Sequence, residues 1–600
     1  MGDFADNGIP FRNDGKPYSI EDCKEDQQEV MAYIIQNVKT WLEACADENE
    51  TTEPYKPLRL TIPGKGGSGK SVLINTLATV LRTLFNCKQC VEIVAPTGSA
   101  AYNAGGSTMH HFAEFPRFVK DMEIPAAKQK RLLQKYSKLV VLVGDERSMM
   151  TSLNLGLLED TSSKCMHGGN REEYDWGGIP IVILVGDDYQ LPPLASGAFD
   201  ALGHNITGRF TQKTPIQQQL INNGRNQFLE IGKDVMSLQT AKRQLPNQQK
   251  LQQLCYAMRG EPDSELLEED AEILCNLNLL KSDIYSKQDI EEIEKKAMYL
   301  FANKEPRDRL NASKLKEKHG PENPVAFIKS HTHAVKSGKK VSHDRHYDDS
   351  VIPCTLLCVN SKVALTGRNF LPNWGLYNGS IGTVMDIVFR PGDNPNHGDL
   401  PLYILVDFPQ YKGPIYIEGR PNLVPIPIVE TTCNFKGCCT RKFVPLTLAF
   451  GKTIHTFQGS SAGPVAEGQP PNAVECIICD PGTRQFEGVC PGLFYTVLTR
   501  ATTLGEEGNH LSSALYFQSK NMNKDRITDI THGTKGYEYF KVTQRKKWVA
   551  YLEANEKKHK PMDKIQQQEL FDWYNKTRYT KQQLEAIIKK GKWLHNLKKK

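Results

Sequence analysis

Apolar positions along this chain change period several times, and each change marks an element. From about Ser19 to Leu42 the residues Val30, Ile34, Ile35, Val38 and Leu42 recur at helical spacing and predict a helix with one buried face. Short apolar runs then alternate with helical patterns: "LRLTIPG", a helix from Ser71, "VEIVAP", a helix after Gly98, "LVVLVGDE" and "IPIVILVGDD". Strands alternating with helices predict an α/β domain built on a parallel sheet. Beyond residue 200 the pattern is helical and polar to roughly Lys296, and "MYLFANKEPRDRLN" supplies the next strand and helix. Between about Ser350 and Val444 strands dominate: "TLLCVNSKVAL", "GSIGTVMDIVF", "LPLYILVDF" and "GPIYIEG" are broken by Asn-Gly, Pro-Gly and Asn-Pro turn signals. The α/β pattern returns in "VPLTLAFGKTIHTFQG" and "GLFYTVLTRATT", and a basic helical segment follows. The expected organisation is a flexible segment 1–20, a first α/β domain 21–200, a second α/β domain made of 201–345 and 441–525, an inserted β module 346–440, and a basic helical C-terminal extension 526–600.

Length and composition fit that division. At 600 residues the chain exceeds a single core, and its 39% hydrophobic and 24% charged residues are ordinary for globular proteins. No apolar run approaches the roughly 20 residues that span a bilayer, so no membrane partner is expected. The opening "MGDFADNGIPFRNDG" lacks the basic and then apolar order of a secretory signal, which suggests an intracellular protein, nuclear if the source is eukaryotic. The net charge of +6 is too small for this length to imply nucleic acid by itself, but it is unevenly spread. From Lys541 onward there are 17 Lys or Arg against 6 Asp or Glu, so the rest of the chain is slightly acidic. Trp548, Trp573, Tyr574, Tyr579 and Trp593 lie among those lysines, a pattern open to nucleic-acid binding or to a solvated helical hairpin. The 15 cysteines show no disulfide rhythm; Cys433, Cys438 and Cys439 are the best metal candidates, without a second pair or histidine at zinc-finger spacing nearby.

The chemistry begins at "GKGGSGKS", Gly64 to Ser71, which follows an apolar strand and opens an apolar-faced helix. In such a P-loop, Gly64, Gly66, Gly67, Ser68 and Gly69 let backbone N–H groups curl around phosphate, Lys70 reaches the terminal phosphates and Ser71 ligates Mg²⁺, so ATP and Mg²⁺ are the expected cofactors. A P-loop also needs an acidic strand end to hold the metal and a carboxylate near the attacking water. Two nearly duplicate stretches qualify, "LVGDERSMM" and "LVGDDYQLPP". Asp145 is followed by Glu146, long enough to reach a water beyond the metal, whereas Asp188 is followed by Tyr189, Gln190 and two prolines. Asp145 is therefore read as metal ligand, Glu146 as base and Gln190 as a γ-phosphate sensor. On this assignment replacement of Asp188 leaves most hydrolysis intact.

Taken in order, these segments resemble the Pif/RecD-type group of superfamily 1 helicases, the 5′→3′ translocating DNA helicases. The resemblance extends over most of residues 20–520 and rests on "EDQQEV", "GKGGSGKS", "APTGSAAYNAGGSTMHHF", "DERSM", "GDDYQLPP", "LQTAKRQ", "LFANKEPRDRLN", "NGSIGTV", "TIHTFQG" and "YTVLTRAT". It implies two RecA-like domains with an SH3-like inserted module. It implies that Gln27 reads adenine, with Gln28 the fallback, that Arg243 and Arg500 point at the γ-phosphate, and that Gly459 belongs to the nucleotide site. Strand-tracking residues map onto Thr97, Ser99, His110 and Phe112, onto Asn378 in the inserted module, and onto Thr453, His455 and Gln458. The expected partners are single-stranded and forked DNA, bound by a monomer.

Two departures stand out. Gly144 precedes the metal-binding aspartate where the group usually has an apolar residue, and Arg147 follows Glu146 where it again has an apolar one. Arg147 is open to three readings: neutralising the carboxylates, contacting DNA, or contacting a neighbouring loop. Two other functions remain on the sequence alone, a P-loop ATPase that remodels nucleoprotein without strand separation and a non-catalytic DNA-binding scaffold. The intact Lys70, Asp145, Glu146, Gln190 and two arginines speak against the scaffold. The sequence also leaves open whether the module stands alone or was cut from a mobile-element protein of the Helitron kind.

Overall fold

The structure is a computed structural model that describes residues 8–12, 15–46, 55–115, 124–167, 175–193, 214–239, 244–245, 247–259, 266–334, 347, 350–367, 370–393, 398–433, 439–465, 474–483, 486, 490, 492–506, 509–527 and 540–597. Six parallel strands form the first sheet: β1 (Leu58–Pro63), β2 (Val91–Ala95), β3 (Ser107–Thr108), β4 (Val141–Gly144), β5 (Ile181–Gly186) and β6 (Asp234–Val235), in the order β3-β2-β4-β5-β1-β6. Strands β4 and β5 are buried at every position, which is why they read as unbroken apolar runs. Around the sheet pack α1 (Glu25–Ala46), α2 (Lys70–Phe85), α3 (Gly98–Asn103), α4 (Met109–Phe112), α5 (Ala126–Tyr136), α6 (Ser152–His167) and α7 (Pro215–Ile231). Ligands of open parallel sheets bind beyond the carboxyl ends of the strands. Because β1, β5 and β4 are adjacent, the P-loop and both acidic stretches leave the same edge side by side.

Helices α6 and α7 meet through two glycines. A Cβ on Gly156 would lie 1.9 Å from the Leu220 carbonyl oxygen, and one on Gly224 would lie 1.9 Å from that of Ser152. Helix α7 and strand β6 complete the first domain, so its boundary falls near residue 239 rather than 200. Burial of Leu220, Phe228 and Ile231 on α7 and the parallel pairing of β6 with β1 are the physical reason.

The second sheet holds β7 (Ala297–Phe301), and later β18 (Gly451–Thr453), β19 (Cys476–Asp480) and β20 (Leu515–Phe517), all parallel, in the order β18-β7-β19-β20. Between β7 and β18 lie the strands of the inserted module. A five-stranded antiparallel sheet contains β11 (Lys362–Leu365), β12 (Ile381–Val388), β13 (Tyr403–Asp407), β14 (Leu423–Pro427) and β17 (Leu446–Leu448). Smaller sheets pair β8 (Ala326–Lys329) with β10 (Cys354–Leu357), and β9 (His331–Ala334) with β16 (Cys439–Phe443) and β15 (Val429–Thr432). Strand pairing therefore runs from 326 to 448, wider than the expected 346–440. Two parallel-sheet α/β domains with an inserted β module match the expected fold class.

The C-terminal extension is neither a solvated hairpin nor a free arm. Its helices Phe540–Glu556, Lys564–Lys576 and Lys581–Leu597 pack on the first domain. Leu570, Leu584 and Ile588 join the core formed by α1, α2 and the sheet, while Trp548 and Leu552 join the core beside α7. The Tyr579 ring lies tilted against Phe85 at 5.7 Å, and its N–H donates to the Leu84 carbonyl at 2.7 Å. Aromatic residues that read as nucleic-acid contacts thus have apolar partners inside the protein; the side chain of Trp593 lies outside the described residues. Among the described residues no helix is long and apolar enough to cross a membrane.

Candidate nucleotide site and strand-facing corner

The P-loop links β1 to α2. Gly67 and Gly69 both adopt left-handed backbone, φ +91° and +79°, conformations that only glycine takes without strain. Lys70 Nζ donates to the carbonyls of Gly64 and Lys65, each at 2.9 Å, so the loop's own oxygens hold the ammonium beside the phosphate cradle. Gln27 is buried, and its amide donates to the carbonyls of Ser68 (3.3 Å) and Gly69 (3.0 Å). It lies on the P-loop, whereas Gln28 donates to the Ile20 and Cys23 carbonyls. Ser71 is exposed at the first turn of α2.

Asp145 and Glu146 leave β4 beside this loop. Burial, and next the neighbouring Glu146 charge, push the Asp145 carboxyl up to about 7, against the Glu146 N–H and Lys70, which favour its ionised form. Glu146 itself is left-handed (φ +50°), and its N–H donates to Asp145 Oδ1 at 2.8 Å. The buried Asp145 carboxyl at the edge of the P-loop fits a divalent cation, with Asp145 and Ser71 as the candidate ligands.

The second duplicate stretch has two separate acids. Asp187, to which the sequence pattern assigns no role, is buried and accepts from Arg259 Nη1 (2.7 Å), Tyr495 Oη (2.7 Å) and Gln190 Nε2 (3.3 Å). Burial alone would raise its carboxyl, but Arg259, Lys70 and the hydrogen bonds from Tyr495 and the Tyr189 N–H outweigh burial and hold it below its usual range. Arg259 ends α8 (Gln249–Arg259), and Tyr495 lies on the helix Leu493–Leu498, so both come from the second domain. Tyr495 Oη also accepts the Gly66 N–H at 3.2 Å. Thr499 fits closely over the same glycine, where a Cβ would meet its side chain at 2.5 Å. The signals available in sequence were position alone: Asp187 follows its strand-ending glycine as Asp145 follows Gly144, and Tyr495 opens "YTVLTRAT".

Asp188, by contrast, faces away into a pair with Arg147, whose Nε donates to Asp188 Oδ1 at 3.2 Å and whose Nη2 donates to Oδ2. The contact with a neighbouring loop is thus the reading of Arg147 that the geometry favours. Arg500 is buried, donating to the carbonyls of Thr496 (3.2 Å) and Ser460 (3.3 Å) and to Thr499 Oγ1 (3.1 Å). Burial lowers its pKa, while the charge of Glu146 works the other way. Arg243 lies outside the described residues, as does Cys438; Cys433 and Cys439 are buried.

Several residues expected to track a strand have partners inside the protein. Gln458 is buried between the domains, and its Nε2 lies 3.2 Å from both Glu146 Oε2 and Gln190 Oε1, which points its amide at the acidic strand ends. Phe112 is 3% exposed with its ring against Tyr136 at 5.1 Å, which leaves no open face for a base. His455 is 4% exposed, within 3.5 Å of Cys490 Sγ, and burial lowers its imidazole to about 4. Thr453 is also buried, its hydroxyl 3.2 Å from that of Thr456.

Thr97 and Ser99 remain near a cleft. Thr97 Oγ1 caps α3 and lies 3.3 Å from Ser99 Oγ, which donates to the Gln458 carbonyl at 3.4 Å. Asn103 Nδ2 donates to the Gly459 carbonyl at 2.7 Å, so Gly459, with φ +89°, abuts α3 rather than the P-loop. His110 is exposed beside Phe115 (5.2 Å). Asn378 is exposed next to Tyr377, whose ring stacks on Tyr102 at 4.9 Å and joins the inserted module to the first domain.

A P-loop sheet, two acidic strand ends and a second parallel-sheet domain that reaches the P-loop through Tyr495 make up a pair of RecA-like α/β domains. A family profile described as PIF1-like helicase matches residues 44–204. The chain is 36% identical over 180 residues to the ATP-dependent DNA helicase RRM3 of Saccharomyces cerevisiae, covering 28% of this chain and 24% of that protein. To the ATP-dependent DNA helicase PIF1 of Candida albicans it is 31% identical over 195 residues, covering 31% of this chain and 20% of that one. The matched region thus spans a quarter or less of these two curated relatives. The crystal structure of Pif1 helicase from Candida albicans superposes with a TM-score of 0.55 at 22% identity over 84% of this chain and 95% of that one. Bacteroides Pif1 bound to ssDNA gives 0.54 at 18% identity, over 84% and 93%. Residues 44–204 thus resemble the PIF1-like helicases in sequence, and the fold over most of the chain is that of the Pif1 structures.

Proposed function

We propose that this chain is an ATP-dependent DNA helicase that moves 5′→3′ along single-stranded DNA and unwinds duplex at forks as a monomer, in DNA repair, recombination, replication or telomere maintenance. One observation carries the reading. The Gln458–Gly459 corner of the second domain touches Glu146 and Gln190 with its side chain and Ser99 and Asn103 with its carbonyls. One short segment thereby joins the hydrolytic edge to the α3 face.

In this account Lys70 and the P-loop N–H groups hold the phosphates of ATP, with Ser71 and Asp145 holding Mg²⁺, which neutralises phosphate charge when bound. Glu146 orients the attacking water and takes its proton, and Arg500 and Arg243 stabilise charge on the transferring phosphoryl group as the domains close. A phosphate seated at the Gly66 N–H replaces the Tyr495 hydroxyl there, so nucleotide arrival shifts the second domain and, through Gln458–Gly459, the grip beside α3.

Unwinding of duplexes with a 5′ or a 3′ single-stranded tail, in ATP and Mg²⁺, tests this. Displacement from the 5′-tailed substrate is expected. Displacement from the 3′ tail alone reverses the polarity, and DNA-stimulated ATP hydrolysis without displacement from either substrate leaves a nucleoprotein-remodelling ATPase.

A further inference from the structure

Resting on that reading, we infer that Trp548, in the C-terminal extension, is a positioning residue for the hydrolytic base. It acts through Asp188 and Arg147.

Glu146 holds a left-handed backbone (φ 50°, ψ 48°) that a non-glycine residue keeps only when its neighbours enforce it. The next residue supplies that enforcement. The Arg147 side chain is fully buried, and it crosses from the end of β4 to the end of β5 over Gly186, where a Cβ would meet Arg147 Cγ at 2.7 Å. Its guanidinium is fixed by both oxygens of Asp188. A buried arginine held at two points cannot swing, so the turn that aims Glu146 is anchored to the neighbouring strand.

Asp188 is itself fixed by a third donor, which comes from some 360 residues further along the chain. Trp548 Nε1 donates to Asp188 Oδ1 at 3.2 Å. The indole is held by a stack on Phe228 at 4.1 Å and by close packing over Gly232, where a Cβ would meet it at 2.6 Å. Three residues earlier Arg545 Nη1 lies 3.4 Å from the Tyr189 carbonyl, and its guanidinium is 5.3 Å from the Tyr189 ring. The extension therefore meets both residues that follow Asp187. Core packing alone would require only a large apolar ring at position 548; the N–H aimed at a carboxylate is the additional feature.

Trp548→Phe keeps the ring on Phe228 and removes the donor. With ATP turnover followed at saturating single-stranded DNA, the expected result is a fall in kcat of about fivefold to tenfold with KM for ATP within about twofold and thermal stability near wild type. Asp188→Ala, which removes the acceptor for both Arg147 and Trp548, is expected to lower kcat further, and adding Trp548→Phe to it should cause no additional loss, because both act through one carboxylate. Unchanged kcat in Trp548→Phe, or losses that multiply in the double variant, would overturn the inference. A wild-type chain that hydrolyses no ATP refutes the helicase reading instead. Hydrogen exchange of the 145–150 amides then decides on Trp548: faster exchange in Trp548→Phe supports the positioning role, and equal exchange refutes it.

Discussion

Tyr495→Phe tests how the two domains meet at the phosphate cradle. The hydroxyl makes three contacts: it donates to Asp187 Oδ2 at 2.7 Å, accepts the Gly66 N–H at 3.2 Å and accepts from Arg259 Nη1 at 3.2 Å. Arg259 keeps Asp187 as a partner at 2.7 Å, so its loss is small. A hydrogen bond to a charged acceptor contributes roughly 1.5–3 kcal/mol, and a buried N–H left unpaired costs about 1–3 kcal/mol. Water entering the space left by one oxygen recovers part of this, so a loss of about 2–3 kcal/mol in the docked arrangement is a reasonable expectation. At about 1.4 kcal/mol per factor of ten, opening at the P-loop becomes roughly thirtyfold to a hundredfold more frequent. Hydrogen exchange of the 64–70 segment in the nucleotide-free protein measures this directly. Protection of the Gly66 amide within about twofold of wild type would refute the argument.

Other perturbations reach different parts of the account. Gly224→Ala drives a Cβ to 1.9 Å from the Ser152 carbonyl and forces α6 and α7 apart, which should lower stability by about 3 kcal/mol in urea unfolding; an unchanged midpoint would contradict the packing. His455 is held near 4 by burial, against an unfolded value of 6.5. Both states are neutral above pH 6.5. As pH falls from there towards 4 the unfolded chain binds the proton first, and stability drops by up to about 3 kcal/mol. His455→Asn should flatten that part of the pH profile of the urea midpoint, and parallel profiles would show that another group is responsible. Glu146→Gln is expected to retain ATP on a filter while turnover falls about a hundredfold or more; turnover near wild type would remove Glu146 from the base role.

The parts legible in the sequence were those with a local signature. The P-loop glycines announce their loop, and β4 and β5 announce themselves because burial on both faces leaves no polar alternation to obscure them. The pattern of β12 to β14 likewise showed the inserted module. Long-range returns of the chain were hidden. Nothing local in Pro215–Ile231 says that its Gly224 will close on Ser152, and nothing local in the lysine-rich extension says that Trp548, Leu570 and Leu584 will complete the first domain's cores. At the site, residue type indicated chemistry but not direction. Phe112 and His455 suit a DNA strand by composition and are turned into the interior. The two "LVGD" stretches looked like alternatives for one role, whereas β4 and β5 deliver them side by side. Asp145 and Glu146 face the P-loop, Asp187 receives the second domain, and Asp188 fixes Arg147. The expectation that Asp188 is dispensable for hydrolysis stands against the proposed route through Arg147, and the turnover of an Asp188 variant separates the two.

Steady-state ATP turnover by the intact chain, with Mg²⁺ and with or without single-stranded DNA, tests whether the hydrolytic edge and the α3 face are coupled. The shared Gln458–Gly459 corner predicts slow turnover alone and strong stimulation when a strand engages the α3 face. Turnover that is absent in both conditions, or equal in both, would contradict the account.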